Sequence, residues 1–99
     1  MAIKNKKYMD YGQYQNKTEA MTNDELHLTI LNAKDVIAAN PRGVNNDYYA
    51  DEINYCAMEL SRRREQGKIS DIDWRRYRNT TFSWLELRAK HPRPQAGRK

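Results

Sequence analysis

With 99 residues, 38% of them hydrophobic, and a mean hydropathy of -1.11, the chain holds apolar material for one small core and no more. A single cysteine, Cys56, excludes an intrachain disulfide and a zinc site built from cysteines of one chain. No run approaches the ~20 apolar residues of a membrane span, and the first stretch, MAIKNKKYMDYGQYQNK, lacks the apolar segment of a secretory signal, so no membrane association and a cytoplasmic location are expected.

Net charge is +5, and its placement matters more than its size. Residues 1–20 carry +2, residues 21–45 and 46–68 each carry -1, and residues 69–99 carry eight basic against three acidic groups, for +5. The excess therefore lies at the two ends, and a modest excess of this kind favours acidic partners without requiring them.

The first twenty residues are rich in Lys, Gln, Asn and Tyr and show no sustained helical period, which predicts a flexible arm over 1–20. Tyr8, Tyr11 and Tyr14 recur at every third position, a spacing that suits rings laid on a partner or back on the protein itself.

Helix signals begin at TNDE, where Thr22 as N-cap and Glu25 three residues on form a capping box, each side chain satisfying an orphan backbone donor. Leu26, Ile30, Ala33 and Ile37 follow at spacings of four, three and four, with Leu31 and Val36 widening the stripe. Pro41 disfavours helical geometry at Asn40, and Gly43 supplies a turn. A second helix is predicted with Asn46 as its cap and Tyr49, Ile53, Cys56 and Leu60 as its inward face. Arg62, Arg63 and Arg64 then occupy its last turns, and Gly67 fits the left-handed position that ends a helix.

Ser70 is the expected cap of a third helix, with Ile69 and Trp74 placed as a hydrophobic staple. Trp74, Tyr77, Thr81, Trp84 and Leu85 share its face, with Phe82 and Leu87 at the margins. From His91 the sequence HPRPQAGRK reads as a basic tail over 91–99. Three helices with one apolar face each bury those faces most simply as an all-α, compact three-helix bundle over 21–90, a helical hairpin plus a third aromatic-rich helix.

Chemistry has little to stand on. His27, His91 and Cys56 are far apart in sequence, no nucleophile set, phosphate loop or HExxH pattern occurs, and Asp71 with Asp73 reads as helix-start charge. No cofactor, metal or catalytic residue is expected. Cys56 on an inward stripe reads as a small buried apolar residue.

The segment ELSRRREQGKISDIDWRRYRN holds six arginines, a lysine, a tryptophan and a tyrosine. As a helix-turn-helix it fails, because that motif wants a small packed residue four before the turn glycine, and Arg63 stands there. As a looser surface, Arg62, Arg63, Arg64, Arg75, Arg76 and Arg78 are candidates for phosphate or acidic-protein contact, diluted by Glu59, Asp71 and Asp73 at ion-pair spacing. Tyr48 and Tyr55, two helical turns apart on a flank of the second helix, are the candidate aromatic contacts.

The stretches TNDELHLTILNAKDVIAANP and YYADEINYCAMELSRRR, about half of the chain, resemble small accessory proteins of tailed bacteriophages, which are often basic and tyrosine-bearing. That resemblance implies a protein that alters a host machine by binding it in the host cytoplasm; it transfers no functional residues. Together these features predict a non-enzymatic accessory protein that modulates a host or viral protein by occupying its surface. A sequence-tolerant nucleic-acid binder using the arginine corner and basic tail is the alternative, and oligomeric state is left open.

Overall fold

The computed structural model describes residues 7–79 of the chain. They form α1 (Tyr11–Ala20), α2 (Asn23–Ala39), α3 (Asn46–Glu65) and α4, which is helical over 71–79, and no strand occurs among the described residues. The all-α class is as expected, but there are four helices and not three. The additional one is α1, in the stretch expected to be a flexible arm.

The α2–α3 hairpin is the centre of the fold. Leu26, Ile30, Ala33 and Ile37 of α2 are all buried, facing Ala50, Ile53, Cys56 and Leu60 of α3, with Tyr14, Ile69 and Tyr77 completing the core. Sealing each large aliphatic side chain of this set contributes roughly 1.5–3 kcal/mol. The expected stripe is narrower than predicted, since Leu31 is half-buried and Val36 is 41% exposed.

Local signals account for most boundaries. Thr22 Oγ1 accepts from the Glu25 N–H at 3.0 Å while Glu25 Oε1 accepts from the Thr22 N–H at 2.8 Å, so the capping box opens α2. Asn40 ends it. In the following loop the Gly43 N–H donates to Asn40 O, and a Cβ at Gly43 would lie 2.9 Å from Asn46 Oδ1 and 3.2 Å from Asn40 O. Close approach is why glycine stands there.

Asn46 is not the cap of α3. The N-cap is Asn45, without a side-chain cap bond, because both amides are used elsewhere: Asn46 Nδ2 donates to Asn40 O across the loop, and Asn45 Oδ1 accepts from the Lys7 N–H.

Gly67 adopts φ 75°, Lys68 N–H donates to Arg63 O and Gly67 N–H to Arg64 O, the paired bonds of a Schellman ending. Ser70 Oγ then accepts from the Asp73 N–H to begin α4, with Ile69 buried and Trp74 half-buried on the core as the staple requires. α4 turns back on the start of α2, where Tyr77 is buried, donates its hydroxyl to Asp24 Oδ1 and packs at a tilt against the His27 ring. Thr81, Phe82, Trp84, Leu85, Leu87 and the basic tail 91–99 lie outside the described residues.

α1 starts at Asp10, whose Oδ1 accepts from the Gln13 N–H. It runs alongside α3 in the same direction. Its contacts climb both helices together: Tyr11 meets Asp51 and Tyr55, Tyr14 meets Glu52, and the end of α1 meets Arg63.

Candidate partner-binding surface

Arg63 organises one end of the molecule. Its side chain is only 13% exposed, and its Nε donates to Glu59 Oε2 at 2.8 Å, four residues back on α3. The remaining guanidinium donors go to Asn23 Oδ1 at 2.8 Å and to the carbonyls of Thr18 and Glu19 in the last turn of α1. One side chain thus ties α3 to the start of α2 and the end of α1. A planar fork of five donors can do this where a lysine cannot.

Glu59, itself buried, also accepts from Arg62 Nη2 at 2.6 Å and Nε at 3.1 Å. Burial alone pushes its carboxyl pKa upward, but the hydrogen bonds from Arg62 and Arg63 outweigh that and hold it below its ordinary 4.5.

The other candidate arginines are also engaged. Arg64 pairs with Asp71 and lies 6.0 Å from the Trp74 ring, and Arg76 bonds Asp73 at 3.0 Å while lying over Tyr77. Arg75 and Arg78 are exposed on α4, beside Ile72 at 78% exposure. Arg63 is therefore a structural clamp and not an exposed contact, and Arg62, Arg64 and Arg76 are each held by a neighbouring carboxylate. Residues 7–79 hold eleven Lys and Arg against twelve Asp and Glu, so the excess charge of the chain sits in residues 1–6 and 80–99.

Tyr48 and Tyr55 are half-buried on the flank of α3 that α1 covers. Tyr14 meets them edge-on at 6.5 and 5.9 Å, Tyr11 lies 5.8 Å from Tyr55, and Lys7 Nζ sits over Tyr48 and Tyr49. Aromatic pairs of this geometry contribute about 0.5–1.5 kcal/mol beyond burial. Both tyrosines thus spend much of their surface inside the protein. Each also borders a surface depression, Tyr48 beside Tyr8 and Gln13 and Tyr55 beside Met58.

What remains outward is a row on α3. Tyr55, Met58 and Arg62, at i, i+3 and i+7, line a shallow depression with Asp51, Asn54 and Ser61, and Met58 is 52% exposed. Tyr11, 53% exposed and hydrogen-bonded to Asp51, extends the row onto α1. Met58 went unnoticed in the sequence because it stands among the apolar residues Cys56, Ala57 and Leu60; its signal was its offset from the inward stripe. No family model, curated protein or solved structure matches this chain.

The titratable groups best suited to chemistry are placed for packing. Cys56 is buried, and loss of solvation pushes its thiol up to about 12. His27 has its pKa lowered, by burial first and by Arg76 next, and its ring packs on Tyr77. Among the described residues no group of three His, Cys, Asp or Glu is placed to hold a metal ion, and no described helix is long and apolar enough to cross a membrane.

Proposed function

We propose that this chain is a non-enzymatic accessory protein of the tailed-phage kind that modulates a host or viral protein by covering part of its surface, with no chemistry of its own. The supporting observation is the row Tyr11, Tyr55, Met58 and Arg62, in which a thioether and two phenol rings sit at the surface beside one guanidinium. Aromatic residues, Met and Arg are the types enriched at protein interfaces, Tyr and Arg are the usual hot-spot anchors, and Met adapts its shape to a partner. Of the arginines, Arg62, Arg64 and Arg76 contribute by turning from Glu59, Asp71 and Asp73, while Arg75 and Arg78 lie exposed on α4. An inhibitory outcome follows where the covered surface is one the partner needs.

A photo-crosslinking residue in place of Met58, in the full chain produced in its native host, tests this. A discrete protein adduct that survives nuclease treatment is expected. An adduct abolished by nuclease, or none at all, contradicts the reading.

One observation favours the second reading, nucleic-acid binding: all of the surplus positive charge lies in residues 1–6 and 80–99. Binding through those ends would be sequence-tolerant and would weaken steeply with salt as counterions return to the phosphates. Titration with short duplex and single-stranded oligonucleotides at two salt concentrations separates the readings, since failure to bind at low salt removes the second.

A further inference from the structure

We propose that α1 is a releasable strap, undocking from α3 while α2 and α3 stay paired, and that the face it uncovers receives the α1 of a second copy of this chain. The claim goes beyond the surface row above and stands on different contacts.

Within α1 only Tyr14 and Thr18 are buried. Its main anchors all lie on α3: the Tyr14 hydroxyl donates to Glu52 at 2.6 Å, the Tyr11 hydroxyl donates to Asp51 at 3.1 Å, and Arg63 donates to the Thr18 and Glu19 carbonyls at 3.2 Å. Tyr14 is the one α1 residue in the buried apolar cluster, whose α2 and α3 members pack on one another without it. The capping box that starts α2 is made by Thr22 and Glu25 alone, so α2 keeps its N-terminus when α1 leaves. Only Met21 and Thr22 connect the two helices. Elements held by few buried side chains open below the free energy of global unfolding.

The uncovered face is specific. Arg63 is already oriented by Glu59 and by Asn23 of α2, and its Nη2 points at carbonyls of a helix C-terminus. Earlier on α3, Tyr48 and Tyr55 flank a slot for one ring edge-on, with Glu52 accepting that ring's hydroxyl and Cys56 beneath it. The matching ligand is a helix with Tyr four residues before a small residue in its last turn, here Tyr14 and Thr18. α1 itself has that pattern, so a second copy supplies it in trans. Exchange of an identical element between copies is a low-cost route to association, and a two-residue hinge is of the kind that permits it.

Cys56 reports opening because Tyr14 covers it. In the full chain, maleimide labelling of Cys56 followed by mass is expected to proceed at a rate unaffected by low urea. Tyr14→Ala should speed it at least tenfold, and Tyr14→Phe, which loses only the hydroxyl, a few-fold. A synthetic peptide of residues 7–20, in excess, should slow labelling of the Tyr14→Ala chain at least fivefold. Labelling of the wild type that follows global unfolding overturns the strap, and a peptide that leaves the rate unchanged overturns reception in trans. Should Tyr14→Ala fail to fold, the Tyr14→Phe chain carries the same two comparisons.

Discussion

Glu59 and Arg63 are the side chains on which most of this structure converges, and they set the clearest stability predictions. Arg63→Ala leaves a buried carboxylate short of a partner and frees two helix-end carbonyls, for an expected loss of about 2–4 kcal/mol measured by urea unfolding. Arg75→Ala, on the exposed face of α4, should change stability by less than ~0.5 kcal/mol in the same assay.

Glu59 also carries a pH signature. Its folded-state pKa lies below the ordinary 4.5, so its contribution is complete above pH 4.5 and is lost as pH falls below that and through the folded value. In a Glu59→Gln chain the stability decline below pH 4.5 should be shallower than in the wild type; equal slopes would show that other carboxylates dominate. The burial of Cys56 was legible in the sequence from its place on an apolar stripe. That of Arg63 was not, because spacing shows that Glu59 and Arg63 can pair but not that α1 and α2 close over them.

At the scale of elements, legibility followed the kind of side chain doing the packing. α2 was readable because branched aliphatics repeat at helical spacing behind a capping box, and the end of α3 and the start of α4 were readable from Gly67 and Ser70. α1 was missed because its inward face is a tyrosine and a threonine. Tyr14 and Thr18, four apart, pack on other tyrosines and hydrogen-bond to polar groups, which hydropathy patterning does not register. Asp10 with Gln13 was the available local signal.

Two substitutions test these elements. Gly67→Ala places a Cβ on a residue at φ 75°, and although nothing lies within 4 Å, the backbone strain should cost about 1 kcal/mol in thermal or urea unfolding. Tyr14→Phe removes the bond to Glu52 and should cost roughly 1 kcal/mol, leaving the helical circular dichroism of the native state unchanged.

For the whole molecule, the separation of charge from fold is the governing feature. The described helical body is close to neutral, with its candidate arginines largely consumed by Glu59, Asp71, Asp73 and Asp24, while the surplus cations lie in the two ends. On the proposed function, attraction to polyanions would belong to the ends, and recognition by the body would fall to Tyr11, Tyr55, Met58 and Arg62. Sequence reasoning saw the arginines and tyrosines but not their division between inside and outside, because that division depends on which helix α1 covers.

The most direct test compares the wild type with Met58→Asp in capturing protein from nuclease-treated host lysate, alongside urea unfolding of both. Met58 is half-exposed, so the unfolding midpoint should not move, and the protein retained by the wild type should be lost by the variant. Equal retention by both chains, or retention by the wild type that disappears with nuclease, would contradict recognition through this face.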